Sequence, residues 1–175
     1  MSDAVAMPIG LKVYQSTAQE DLLIAGWWYK MLEAGDLDNL FTQDSRTLAA
    51  LFRLVTPPRA FVYAADARGI WFALWGEPLL GAVAIGLWLR PDRRSRVGTL
   101  MFLETLDWAL QQAPVIIGVT KQEKLLRAHR RLGYTVVGAV PRFFDGETGW
   151  IVAVTRESLA APLARYRRQP VCEVA

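Results

Sequence analysis

Four arginines crowd one short stretch of this chain, Arg90, Arg93, Arg94 and Arg96, just ahead of Gly98 and Thr99. The residues before them, Leu87, Trp88 and Leu89, form a β-prone apolar run that Pro91 brings to a stop. From Gly98 and Thr99 onward the pattern turns helical. A strand that feeds a basic turn and then a helix N-terminus makes an anion site. The first-turn N–H groups lack partners there, and the positive end of the helix dipole faces the same point. Guanidinium groups add planar donors that fit phosphate oxygens. The chemistry this stretch suits is capture of a phosphorylated cofactor.

Other chemistries find less support. A single cysteine, Cys172, excludes an internal disulfide framework, and a single histidine, His129, leaves no His/Cys cluster for zinc. Nucleic-acid binding by the arginine run would want aromatic residues interleaved with the cations, and only Pro91, Asp92 and Ser95 stand between them. The tail cations Arg165, Arg167 and Arg168 read as a solvated patch that could dock a partner. With 53% hydrophobic and 21% charged residues in 175, the composition argues for one globular domain and against disorder. The formal charge of +3 suits an ordinary surface plus one anion pocket. No basic leader followed by an apolar run opens the sequence, and the most apolar stretch, residues 70–89, is broken by Gly76, Glu77, Pro78 and Gly81. The expectation is a soluble, cytoplasmic protein.

The elements that must position the arginine turn can be read in order. Residues 11–15 alternate as an opening strand, and Thr17 with Glu20 predicts a capping box for a helix over 18–33. Asp44 or Ser45 caps a second helix through 54, with Leu48, Leu51, Phe52 and Val55 as its apolar stripe, and Pro57-Pro58 follows. Three strands at 59–65, 70–75 and 81–89, joined by short turns, predict antiparallel pairing and a sheet covered on both faces. A helix over 99–112 presents Phe102, Leu103, Leu106, Ala109 and Leu110 to the core, and residues 115–119 then form a strand parallel to 81–89. Residues 121–132 form an amphipathic helix stopped by Gly133, and strands at 134–140 and 149–155 flank a turn at 143–146. The tail from 160 to 175 has weak pattern and reads as peripheral to a core spanning 11–159.

In this order, and with these residues, the chain resembles the GNAT superfamily of N-acetyltransferases. The strand end Leu87-Trp88-Leu89-Arg90-Pro91 is similar to the family's Leu-x-Val-x-Pro. The stretch Arg94-Ser95-Arg96-Val97-Gly98-Thr99 is similar to its pyrophosphate loop, Arg/Gln-x-x-Gly-x-Gly/Ala. Gln122, Leu125, His129, Gly133 and Tyr134 fall on its helix pattern Asn-x-x-Ala-x-x-x-Tyr-x-x-x-Gly-Phe. Val97 and Thr99 depart from it, standing where glycines usually let backbone approach the diphosphate.

The resemblance implies an α/β fold of order β-α-α-β-β-β-α-β-α-β-β. Its central sheet would be mostly antiparallel and flanked by helices, with one splayed parallel strand pair. It implies acetyl-CoA or another acyl-CoA as co-substrate, with no metal. Pantetheine would run along Leu87, Trp88 and Leu89, pyrophosphate would sit on Arg94 to Thr99, and Gln122 would stand nearby. The acceptor would be a small-molecule or protein amine, with no membrane and no nucleic acid involved. His129, at the family's tyrosine position, would supply the proton for the departing thiolate. The strand that carries a glutamate base in some relatives has no carboxylate here. Glu77 before it and Asp92 after it are the nearest in sequence, and both types more often serve as solvated turn residues. Trp27, Trp28, Trp71, Trp75 and Trp88 suit core or acceptor cleft, while Tyr134, Phe143 and Phe144 fall where family members shape the acceptor site. Residues 119–134 and 140–150 also resemble GNAT-like proteins encoded by bacteriophages. That keeps a second expectation open, a catalytically degenerate GNAT-fold module in a virion or assembly, as it does a homo-oligomer.

Overall fold

Helix α1, Ala18–Glu33, starts where a hydroxyl can satisfy its first turn. Thr17 Oγ1 accepts from the Glu20 amide at 3.3 Å, and the Glu20 carboxylate turns back to accept from the Gln15 amide. The computed structural model describes residues 12–35, 46–56, 60–66, 69–76, 78–79, 82–84, 96–111 and 113–168. Helix α2, Leu48–Val55, is capped by Thr47, whose Oγ1 accepts from the Ala50 amide at 3.1 Å, so it begins later than the expected Asp44 or Ser45. Its apolar stripe is as read: Leu51 and Val55 are buried, and Leu48 and Phe52 pack against them.

Strand β1 (Lys12–Val13) pairs antiparallel with β2 (Ala60–Asp66), and β2 pairs antiparallel with β3 (Gly69–Gly76). A short β4 (Pro78–Leu79) pairs antiparallel with β5 (Ala82–Ala84). Pro78, expected in a turn, therefore begins a strand. Helix α3 (Arg96–Ala109) follows, and then β6 (Val115–Thr120), which pairs parallel with β5 as the crossover rule requires. Helix α4 (Glu123–Arg131), β7 (Thr135–Phe144), β8 (Glu147–Thr155) and α5 (Arg156–Arg168) complete the order. The ladders form two sheets, β1-β2-β3 and β4-β5-β6-β8-β7, with β3 lying next to β5. The result is the mixed α/β architecture expected, antiparallel apart from the one parallel pair.

Three expected boundaries shift for physical reasons. Helix α3 begins at Arg96 rather than Thr99, so the turn residues Arg96 and Val97 are already helical. The tight turn of the last hairpin is only Asp145-Gly146, both with positive φ (44° and 91°), the type I′ geometry whose twist matches the strands. Phe143 and Phe144 belong to β7. The tail is the largest change, because residues 156–168 form α5, with Leu159 (1% exposed) and Leu163 (5%) in the core. Thr155 and Ser158 cap it reciprocally, Ser158 N donating to Thr155 Oγ1 at 3.3 Å and Thr155 N to Ser158 Oγ at 3.1 Å. Pro162 inside the helix hides it from pattern reading, since proline removes a donor there.

Two apolar clusters result. Trp27, Trp28, Ile24 and Met31 of α1 join Leu51, Val55, Tyr14 and Tyr63 in one. In the other, the expected α3 face packs on Leu126, Tyr134, Ile116, Val152, Val154, Leu159 and Leu163. Trp27 and Trp28 are thus core residues, and the side chains of Trp71, Trp75 and Trp88 lie outside the described residues.

Candidate active site

The anion-site residues divide. Arg96, Val97 and Gly98 form the first turn of α3, and Thr99, half-buried, opens the next. In a helix the first-turn amides have no acceptor further back in the same helix, so three of the residues assigned to the loop present N–H groups at one end of α3. Arg94 and Ser95 lie outside the described residues, as do Leu87, Trp88, Leu89, Glu77 and Asp92. The described parallel ladder between β5 and β6 runs from Ala82/Val115 to Ala84/Ile117. Beyond it, β6 continues through Gly118, Val119 and Thr120, paired to β8 on its other edge.

The second half of the site follows β6 directly. Thr120 Oγ1 accepts from the Gln122 amide at 3.2 Å, and Gln122 is the N-cap of α4 without a side-chain hydrogen bond to that helix. Gln122, Leu125 and His129 share one face of the α4 region, all three half-buried. His129 Nδ1 lies 2.9 Å from the Leu125 carbonyl oxygen. A carbonyl only accepts, so Nδ1 carries the hydrogen and Nε2 holds the lone pair in the neutral ring. Burial pushes the imidazole pKa below 6.5, against a smaller upward pull from the Leu125 carbonyl. Among the described residues no carboxylate lies within ion-pair distance of it.

What fixes the ring laterally is aromatic. Tyr134 meets His129 edge to face at 5.2 Å between centroids and stacks on Phe102 of α3 at 6.4 Å. Tyr134 is 7% exposed, and burial raises its hydroxyl pKa. It acts as a wall behind the histidine rather than as an open acceptor surface. Phe144 is buried, whereas Phe143 is 45% exposed and lies over Gly149, where a Cβ would come within 2.7 Å of Phe143 Cβ. Gly133 closes α4 at φ 93°, and a Cβ there would meet the Ser158 carbonyl oxygen at 2.5 Å. That carbonyl is the one Pro162 leaves without its helical donor. Gly133 is therefore demanded twice, by its left-handed backbone and by the close approach of α5.

One polar cluster escaped the sequence reading. Tyr63 of β2 donates to Glu20 Oε1 at 3.1 Å, and Tyr14 donates to Asp21 one residue along α1. Burial first, then the Glu20 charge, pushes the Tyr63 hydroxyl up to about 12, and burial also raises Tyr14. Tyrosine and carboxylate are 43 positions apart in the Tyr63–Glu20 pair, a separation no local motif signals. Among the described residues no group of three His, Cys, Asp or Glu side chains could hold a metal ion, and no helix is long and apolar enough to cross a membrane.

No protein-family model matches the chain, and no curated protein sequence does. Solved structures do. An aminoglycoside N(6′)-acetyltransferase from Legionella pneumophila superposes with TM-score 0.66 over 87% of this chain and 95% of its own, at 14% identity. An aminoglycoside 6′-N-acetyltransferase from Enterococcus faecium gives TM-score 0.60 over 83% and 96%, also at 14% identity. An acetyltransferase from Salmonella typhimurium, which modifies the N-terminal serine of ribosomal protein L7/L12, gives 0.62 over 86% and 98%, at 13% identity. At such identities the likeness speaks for backbone arrangement, and it covers nearly the full length of every chain compared. The chain has the fold of the GNAT acetyltransferases.

Proposed function

We propose that this chain is an acyl-CoA-dependent N-acyltransferase that moves an acetyl group from acetyl-CoA to a primary amine by direct attack. One arrangement carries the reading: parallel β5 and β6 joined by α3, whose first turn is Arg96, Val97 and Gly98, with α4 and its half-buried imidazole directly after β6. The helix-start amides suit a diphosphate in geometry, and Arg94 and Arg96 would add positive charge. The loop as a whole, Arg94, Ser95, Arg96, Val97, Gly98 and Thr99, would hold it, and Leu87, Trp88 and Leu89 would carry the pantetheine along their backbone. The structural neighbours act on an aminoglycoside or on a protein N-terminus, which keeps both small-molecule and protein amines as acceptor classes. Consumption of acetyl-CoA fits a cytoplasmic setting.

In this reaction the amine nitrogen attacks the thioester carbonyl, the C–N bond forms, the C–S bond breaks, and the amine proton ends on the CoA sulfur. His129 is neutral near pH 7 and presents Nε2 as an acceptor. It therefore suits taking the proton from the attacking nitrogen and handing it to the thiolate, rather than starting as the proton donor the resemblance implied. Glu77, ahead of the pantetheine strand in sequence, is the second candidate for accepting the amine proton. Holding amine and thioester together supplies much of the rate.

Thermal melting with acetyl-CoA tests binding, and thiol release with a panel of amines tests turnover. Saturation at about a hundred times Kd should stabilise the fold by about 2.7 kcal/mol, and no rise in Tm at saturating cofactor would sink the reading. Arg94→Ala should weaken cofactor binding about tenfold, the loss of one charge-assisted contact. Binding without thiol release for any amine would leave a GNAT-fold binding module in place of an enzyme.

A further inference from the structure

The flank of α4 turned away from Gln122, Leu125 and His129 has no part in acyl transfer, yet it holds the largest concentration of unmatched charge among the described residues. Residues 123–131 carry Lys124, Arg127, Arg130 and Arg131 against Glu123 alone. That excess of three is as large as the net excess of the whole chain, 20 Lys and Arg over 17 Asp and Glu. All four cations are exposed, and among the described residues none has a carboxylate within 4.0 Å, whereas Arg167 of α5 pairs with both Glu104 (3.4 Å) and Asp107 (3.7 Å). Arg127 stands three residues from Lys124 and three and four from Arg130 and Arg131, where like charges repel and cost helix stability. Arg165 of α5 extends the patch, its Nη2 donating to the Arg131 carbonyl at 3.0 Å.

The flank is also concave. Glu123, Lys124, Leu126, Arg127 and Arg130 line a groove of about 680 Å³ together with Trp150 of β8, which is half-buried against the core. An aromatic ring in a groove edged by guanidiniums is what the arginine run at 90–96 lacks. Guanidinium forks match phosphate oxygens, and an indole takes a base on its face or edge. An acidic peptide could pair its carboxylates with these cations but would leave the indole of Trp150 unused, whereas a nucleotide engages both.

We propose that this groove docks a single-stranded nucleic acid, its phosphates on Lys124, Arg127 and Arg130 and a base against Trp150. The proposal is independent of acyl transfer. The test is fluorescence anisotropy of a fluorescein-labelled oligouridylate of about 15 nucleotides, the span of one such site, across a range of KCl concentrations. The parent should bind with an affinity that falls steeply with salt. The double variant Arg127→Ala/Arg130→Ala should bind about tenfold more weakly, with a slope of log affinity against log salt shallower by about 1.4, at about 0.7 for each lost phosphate contact. Alanine is the best helix former, so these exposed replacements keep α4, and an unchanged Tm verifies it. Lys12→Ala/Arg168→Ala removes the same charge from exposed positions elsewhere and should leave affinity unchanged. Three results would overturn the proposal: no salt-dependent binding by the parent, equal losses in the two double variants, or displacement of the oligouridylate by polyglutamate at equal charge concentration.

Discussion

On one flank of α4, Gln122, Leu125 and His129 are half-buried, and the imidazole is held by a backbone carbonyl and a tyrosine ring. On the other, Lys124, Arg127 and Arg130 stand in solvent beside Glu123, with no described carboxylate within 4.0 Å of them. The same nine-residue helix thus carries a half-buried imidazole with a lowered pKa on one side and exposed positive charge on the other. The difference comes from what each flank meets. One meets Tyr134, and through it Phe102 of α3, while the other opens onto a groove that Trp150 helps to line. Burial selects the uncharged state of a titratable group, and exposure leaves arginine charged at any pH the fold survives.

Breaking the lock that orients α4 should erase the contrast altogether, and this is the largest effect expected. Gly133→Ala puts a Cβ against the Ser158 carbonyl at a left-handed position and should cost about 3 kcal/mol, combining backbone strain and overpacking. Denaturant unfolding would measure it, and a loss under about 0.5 kcal/mol, the level of an ordinary surface change, would mean the α4–α5 contact does not set the helix. Next comes the buried flank alone. His129→Phe should lower kcat about a hundredfold, the scale of a lost acid–base group, while leaving both the acetyl-CoA melting shift and oligouridylate affinity in place. Unchanged turnover would remove His129 from the chemistry.

A pH series sharpens the comparison further. If His129 must be neutral to work, kcat/KM holds above its lowered pKa and falls as pH drops through it, below 6.5. Stability should move the same way. The folded chain binds that proton less tightly than the unfolded one, so the contribution is fully present above 6.5 and is lost as pH falls from there through the folded value. Melting of parent and His129→Phe across that window checks the sign, because the variant should lack this component. The smallest effect concerns the cap. Gln122 gives α4 no side-chain hydrogen bond, so Gln122→Asp should stabilise the fold by about 0.5–1 kcal/mol. Its charge, on the histidine flank, should also move the acid limb of the rate profile to higher pH. A limb that does not move would place the two residues too far apart to share a site.

Much of this contrast was legible in the sequence, and the parts that were not share a cause. The α3 face, the α2 stripe, the Thr17 cap and the parallel placement of β6 all follow from local periodicity and capping chemistry, and each stands as read. Helix α5 was missed because Pro162 breaks its pattern, although the Thr155/Ser158 cap lay in plain view. The start of α3 was set three residues late because arginine and valine carry no start signal as strong as glycine's break. The motif position of Tyr134 says nothing about its burial or its stacking on the Phe102 ring, which join residues far apart in the chain.

By itself the sequence determined most of the helices and strands (α5 and β4 excepted), where the arginines gather, and that one histidine shares a helix face with Gln122 and Leu125. Those properties depend on neighbours within a few residues, where periodicity, capping and charge act directly. Only the tertiary structure decided that His129 is partly desolvated with Nδ1 held by the Leu125 carbonyl, that Gly133 must stay bare beneath Ser158, and that Trp150 lines a cationic groove. Each of these joins residues distant in the chain, and desolvation, steric closure and concavity exist only once such residues are packed together.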